Sequence, residues 1–115
     1  MSREDEPMGM IEQLEAMIAS GKDGPAARLA LAARYHADGV LDRALEHAQV
    51  AVEQDPDYSA AWKLLGRILV DSGRERDAAE AYRRGIDVAA RRGDKQAEKE
   101  MRVFLKRITR QPDDH

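Results

Sequence analysis

A repeat of 34 residues constrains the fold of this chain more than any other feature of its sequence. When residues 25–58 are laid over residues 59–92, six positions are identical. A fixed period of this length is typical of helical solenoids, in which each helix pair buries its apolar face against its neighbours. The identical pairs are Ala26 and Ala60, Ala27 and Ala61, Leu31 and Leu65, Gly39 and Gly73, Ala44 and Ala78, and Glu46 and Glu80.

Helical periodicity predicts an all-α fold of about six helices. Aromatic residues make up only 4% of the chain, and the many alanines favour helix over strand. The first helix is predicted over about residues 8–20 and the last over 94–109, and each repeat contributes two helices between them. Asp42 is predicted to cap the third helix with its side chain, and Asp94 is predicted to cap the last.

The length of 115 residues corresponds to about one domain, which we predict over residues 8–110. The repeats are 25–58 and 59–92, the helix over 94–109 caps one end of the stack, and the helix over 8–20 covers the other. Residues 1–7 show no periodicity and are predicted to be a disordered arm, and residues 111–115 a disordered tail.

The second repeat resembles a tetratricopeptide (TPR) repeat in the spacing of its small and aromatic residues. The residues that match are Trp62, Leu65, Gly66, Leu69, Gly73, Ala78 and Tyr82. Gly66 and Ala78 are expected where the two helices cross closely, with Trp62 and Tyr82 beside that crossing. The sequence departs from the family pattern at Leu69, which stands where an aromatic residue is usual.

The first repeat resembles the same pattern more weakly. Its matching residues are Leu31, Ala32, Tyr35, Gly39, Ala44, Ala51 and Pro56. Arg28 stands where the second repeat has its tryptophan, and Ala48 stands where it has Tyr82. The whole is similar to a small bacterial TPR protein of unassigned role.

The resemblance implies a protein or peptide interaction module, an adaptor or scaffold that uses the concave face of a short stack. The side chains expected on that face are Leu29, Ala33, His36, Lys63, Arg67 and Val70. Lys63 and Arg67 are four residues apart and therefore share a helix face, where they can hold a peptide carboxylate. Ordinary solvated charges are the alternative. Some TPR proteins hold a C-terminal carboxylate with polar and basic side chains from three repeats, and such a clamp is not expected here because Leu29 and Ala33 are apolar.

Nothing in the sequence indicates an enzyme, a metal site or a cofactor. There is no cysteine and no glycine-rich phosphate loop, and the histidines are not spaced as metal ligands. His36 is expected in the groove or on the surface, His47 on the solvent side of its helix, and His115 in the tail. An acidic start and the lack of a long apolar run predict a cytoplasmic chain with no membrane contact.

Charge is distributed unevenly between the ends of the chain. Residues 1–20 contain one arginine against five acids, whereas residues 91–110 contain eight basic residues against three acids. Such an asymmetry can mark a partner surface, and an ordinary solvated helix face is the alternative explanation. The alternative function is an architectural subunit that self-associates or docks through its end helices, and the chain is expected to be a monomer or a weak homo-oligomer. Nucleic-acid contact by the basic helix is less favoured, since Phe104 is its only aromatic residue. On the first helix, Met17 is predicted to lie in the core.

Overall fold

A computed structural model describes residues 9–110, and the secondary structure in that range consists of six α-helices. They are α1 (Met10–Ala19), α2 (Pro25–Ala37), α3 (Leu41–Gln54), α4 (Ser59–Asp71), α5 (Glu75–Arg92) and α6 (Lys95–Thr109). The predicted all-α fold class is confirmed. The predictions for the arm and for the tail with His115 concern residues outside the described range, which also excludes residue 8, where the first helix was predicted to begin.

The helices pack as hairpins in chain order. The most extensive contacts are those of α2 with α3, of α4 with α5 and of α5 with α6. The resulting body is elongated, with principal extents of 61 × 31 × 20 Å, because each helix contacts mainly its neighbours in the chain. No helix in the described part of the chain is both long and apolar enough to cross a lipid bilayer.

The helix ends agree with one predicted cap and contradict the other. The Asp94 carboxylate accepts a hydrogen bond of 3.2 Å from the backbone N–H of Ala97, which caps α6 as predicted. The prediction for Asp42 is wrong, because α3 begins two residues earlier than such a cap requires, with Val40 at its N-cap and no side-chain cap. Asp42 lies in the first turn of α3, where its charge still interacts favourably with the helix dipole.

Two glycines allow the helices of the second repeat to approach closely. A Cβ atom at Gly66 would lie 2.3 Å from Cε1 of Tyr82, so α4 rests directly on that ring. A Cβ atom at Gly85 would lie 2.4 Å from Sδ of Met101 and 2.8 Å from Cβ of Trp62. The crossing of α4 and α5 therefore lies at Gly66, and Gly85 brings α5 against both α4 and α6.

The predicted repeat positions lie mostly in the core. Those that are buried are Leu31, Ala32, Ala44, Trp62, Leu65, Gly66, Leu69, Ala78 and Tyr82. Tyr35 is half-buried, and Gly39 and Gly73 turn the chain with φ of +76° after α2 and α4. Pro56 is exposed, and its carbonyl accepts a hydrogen bond of 2.8 Å from Trp62 Nε1.

A polar cluster replaces the aromatic wedge in the first repeat. Arg28 forms two hydrogen bonds of 2.8 Å with the Asp23 carboxylate and donates from Nη1 to His47 Nδ1 over 3.1 Å. The His47 ring is buried and stacks on Tyr35 with centroids 5.7 Å apart. The prediction that His47 faces solvent is therefore wrong, because the ring fills the space beside Arg28.

The first helix covers α2 with one face only. Ile11, Leu14 and Ile18 are half-buried on α1, which contacts α2. The prediction that Met17 lies in the core is wrong, since its side chain is 42% exposed. Met17 lies one turn from Leu14, at the edge of the face that packs on α2, and it therefore remains partly exposed.

Candidate functional site

A groove with a volume of about 340 Å³ opens between α4, α5 and α6. On α4 and on α6 its lining residues follow the spacing i, i+3, i+4, so each set lies on one helix face. Apolar side chains from both helices line it together with two arginines, one aspartate and a tyrosine. The lining residues are Arg67, Val70 and Asp71 from α4, Tyr82 from α5, and Phe104, Arg107 and Ile108 from α6.

Both arginines of the groove are available to an anionic ligand. Arg67 and Arg107 are exposed and form no ion pair with a carboxylate within residues 9–110. The Arg107 guanidinium lies 5.9 Å from the ring centroid of Phe104, within the range of a cation–π contact. A guanidinium can bind a carboxylate through two parallel hydrogen bonds, so the groove combines anion-binding groups with an apolar surface.

Lys63 differs from Arg67 because its charge is already balanced. Its Nζ lies 2.8 Å from Oε1 of Glu100, and this ion pair joins α4 to α6. The two cations that the sequence places on one face of α4 therefore have different surroundings. Arg67 faces the groove, whereas Lys63 holds the last helix.

The other predicted site residues fall into two groups. His36 and Val70 lie at the groove: His36 Nε2 is 2.6 Å from Asp71 Oδ2, and this pair links α2 to α4 at the edge of the groove. Val70 is part of the lining. Leu29 is half-buried and packs against the core, and Ala33 is exposed on α2. Neither Leu29 nor Ala33 lines the groove.

Tyr82 contributes a hydroxyl group that the sequence reading assigned to packing alone. Burial raises the pKa of Tyr82 to about 12, with the positive charge of Arg67 acting in the opposite direction and the negative charge of Asp71 adding to the rise. The hydroxyl is thus protonated at neutral pH and can donate a hydrogen bond. Within residues 9–110 the Tyr82 hydroxyl has no hydrogen-bond partner. Every fully buried side-chain N or O atom of these residues does have a partner, so the hydroxyl must reach the groove surface.

The contribution of α6 to the groove was also missed. From the sequence, α6 was expected only to cap the stack, and none of its residues was placed on the concave face. The i, i+3, i+4 spacing of Phe104, Arg107 and Ile108 is a signal that was present in the sequence. It could be read only with the knowledge that α6 lies across from Arg67 and Val70.

The arrangement is suited to binding. Among residues 9–110, no group of three or more histidine, aspartate or glutamate side chains could hold a metal ion. Within residues 9–110, neither side chain of the His36–Asp71 pair forms a hydrogen bond with a third residue, and Asp71 is an exposed residue. The groove can therefore hold an anionic group through Arg67 and Arg107 while an apolar group rests on Val70, Phe104 and Ile108.

Comparison with known proteins places the chain among repeat proteins. A family model described as tetratricopeptide repeat matches residues 35–97. A TPR repeat-containing protein from Pseudomonas aeruginosa is 50% identical over 101 residues, which span 88% of this chain and 96% of that protein.

Two solved structures are similar in fold as well as in sequence. The solution structure of a Bordetella parapertussis protein is 40% identical, with a TM-score of 0.77 and coverage of 90% of both chains. The crystal structure of a tetratricopeptide repeat domain protein from Salinibacter ruber is 30% identical, with a TM-score of 0.70 over 74% of this chain and 96% of that one.

Proposed function

This chain belongs to the tetratricopeptide repeat family, and we propose that it is a non-enzymatic adaptor or scaffold that binds a peptide segment between α4 and α6. TPR domains generally act as protein-interaction modules. The observation that carries the proposal is the groove itself. Arg67 and Arg107 lie beside its apolar lining, and neither has a carboxylate partner within residues 9–110.

The chemistry of the groove defines the segment that it would bind. A carboxylate, from an acidic side chain or a chain terminus, would form charge-assisted hydrogen bonds with one or both arginines. An adjacent apolar side chain would rest on Val70, Phe104 and Ile108, and the Tyr82 hydroxyl would donate to a backbone carbonyl of the segment. Lys63 has a supporting role in this arrangement, because it fixes α6 through Glu100.

The groove is small, and its affinity for a single segment would be modest. A volume of about 340 Å³ accommodates only a few side chains. The surface area that so small a segment buries is far below that of a standard protein interface. Binding must also overcome the entropy lost by an extended peptide. We expect dissociation constants of roughly 10 µM or weaker, which suits reversible recruitment. A cytoplasmic location and action without a cofactor remain predictions from the sequence.

A peptide titration observed by amide chemical shifts tests the proposal. The probe is a pool of short peptides that pair glutamate with leucine or phenylalanine, and the control is the same pool with glutamine in place of glutamate. Shifts in α4 and α6 with the acidic pool, and much weaker shifts with the amide pool, are expected. Shifts confined to α3 and the outer face of α5 would contradict the assignment of the groove.

Arginine variants sharpen the test. Arg67→Gln and Arg107→Gln are each expected to weaken binding of the acidic pool by about 10- to 150-fold, since each removes a charge-assisted contact of about 1.5–3 kcal/mol. Arg83→Gln is the matched control, because Arg83 is an exposed arginine on α5 that does not line this groove. Equal losses in all three variants would indicate unspecific attraction to positive charge.

A further inference from the structure

Arg67 has no ion pair within residues 9–110, although an acid lies one turn away on its own helix. Asp71 follows Arg67 at the spacing i, i+4, and both side chains line the groove. The charges of both residues act on the Tyr82 hydroxyl, so the three groups lie close together. Arg34 and Asp38 have the same order and spacing at the end of α2, and they do pair, with 3.6 Å between Nε and Oδ2. A specific contact must therefore keep Asp71 from Arg67.

That contact is the one between His36 and Asp71. Nε2 of His36 lies 2.6 Å from Oδ2 of Asp71, and the pair joins α2 to α4. A carboxylate only accepts hydrogen bonds, so Nε2 carries the hydrogen and donates it. The His36 side chain is 19% exposed, and its neighbours therefore restrict its movement. The Asp71 carboxylate is thus satisfied by α2 rather than by Arg67.

The position of Asp71 on α4 makes its partner important. Asp71 is the last residue of α4, where a negative charge interacts unfavourably with the helix dipole, and the last turn contains no basic residue. The cations of α4 are Lys63 and Arg67, and Lys63 is bonded to an acid of α6. A carboxylate that His36 no longer held would therefore pair with Arg67, one turn away.

We propose that His36 is a positioning residue for the groove: it holds Asp71 and so leaves the Arg67 guanidinium free for an acidic ligand. In the other arrangement, Asp71 pairs with Arg67 and occupies the donors that the ligand carboxylate needs. This inference rests on the proposed binding of peptides between α4 and α6. It adds a contribution from α2, although the residues that line the groove come from α4, α5 and α6.

The expected effect of losing His36 is moderate, because an exposed pair of arginine and aspartate is weak. Competition from such a pair should weaken ligand binding about two- to sixfold. This loss is smaller than the one expected for Arg67→Gln, which removes the contact with the ligand entirely.

Titration with the acidic peptide pool, observed by amide chemical shifts, tests the inference. His36→Leu removes the donor and keeps the bulk of the side chain, whereas His36→Gln keeps an N–H donor. His36→Leu is also made in an Asp71→Ala background, which separates the effect of the carboxylate from any effect on packing. Arg84→Leu is the matched control, because it releases Glu80 from an ion pair on α5 and neither residue lines the groove. Circular dichroism checks helix content, and His36→Ala replaces His36→Leu if helicity falls.

His36→Leu is expected to weaken binding about two- to sixfold, whereas His36→Gln retains most of the affinity and Arg84→Leu retains all of it. In the Asp71→Ala background, His36→Leu is expected to have no further effect, because no carboxylate is left to release. A purely structural role of His36 would give the same loss in both backgrounds and no rescue by glutamine. That result, unchanged binding in His36→Leu, or an equal loss in Arg84→Leu would each overturn the inference.

The side-chain NMR signal of Arg67 provides a readout that needs no peptide. Its Nε–H resonance, assigned by its loss in Arg67→Gln, is expected to move in His36→Leu as the guanidinium pairs with Asp71. In the Asp71→Ala background, His36→Leu should leave this resonance where it is. A resonance that does not move in His36→Leu would also overturn the inference.

The two readouts separate this inference from the proposed function. If the resonance of Arg67 moves as expected but the wild type binds no acidic peptide, the proposed function is refuted and the exchange of partners by Asp71 is supported. If peptide binding depends on Arg67 but not on His36, the proposed function is supported and the positioning role of His36 is refuted.

Discussion

The close contact between Gly66 and Tyr82 makes the stability of the second repeat sensitive to a single methyl group. A Cβ atom at Gly66 would lie 2.3 Å from Cε1 and 2.6 Å from Cδ1 of Tyr82, well inside ordinary contact distance. The ring is 2% exposed and lies among buried side chains, so it cannot move aside freely. Gly66→Ala therefore requires α4 and α5 to separate.

Two effects oppose each other in Gly66→Ala, and their magnitudes decide the result. Alanine is favoured over glycine inside a helix by about 0.5–1 kcal/mol. Overpacking of a close core contact costs about 1–3 kcal/mol. We therefore expect a net destabilisation of about 1–2 kcal/mol, and several kcal/mol for Gly66→Leu, whose side chain has no space at all.

Urea unfolding followed by circular dichroism measures this change as a shift in midpoint at constant slope. The matched control is Gly66→Ala in a Tyr82→Leu background, which removes the ring that causes the clash. There the helix propensity of alanine acts alone, and the substitution should be neutral or stabilising by up to about 1 kcal/mol. Equal destabilisation in both backgrounds, or a Gly66→Ala variant as stable as the wild type, would refute the assignment of the crossing to this contact.

Two further predictions concern the polar contacts of each repeat. Burial, followed by the charge of Arg28, lowers the pKa of His47, so the unfolded chain takes up a proton that the folded chain resists. The free energy of unfolding should therefore decrease as pH falls below about 6.5, by at most about 1.4 kcal/mol per pH unit. His47→Gln should flatten this dependence in urea titrations. Trp62→Phe removes the hydrogen bond to the Pro56 carbonyl and should cost about 1 kcal/mol in the same assay; an unchanged midpoint would show that water replaces it fully.

The two repeats show how far sequence comparison reaches. The pattern at Trp62, Gly66 and Tyr82 predicted a close helix crossing, and the structure places one at Gly66. The same comparison identified Arg28 as a replacement for tryptophan, but it did not show what fills the vacated space. Arg28, Asp23 and His47 fill it with hydrogen bonds between residues 5 and 19 positions apart in the chain. A period of 34 residues carries no information about such a pairing.

The candidate site was predicted only in part, for a related reason. Arg67 and Val70 were expected on the concave face because the resemblance to a TPR repeat implies it, and both line the groove. Lys63 was expected there on the same ground, yet it is bound to Glu100, a residue 37 positions later. Which of two neighbouring cations is available thus depends on the angle at which α6 packs.

The sequence by itself determined the elements of this protein: six helices, their approximate limits, the repeat, the membership in an all-α class and the opposite charges of the two ends. These properties depend on residues within one or two helical turns, where periodicity, helix breakers and propensity act. The tertiary structure alone decided that α6 forms one wall of the groove, that Lys63 is paired while Arg67 is not, and that Met10, Met17 and Val103 remain exposed. Helix packing decides these features because it determines which distant side chains meet, and the local sequence pattern constrains it only weakly.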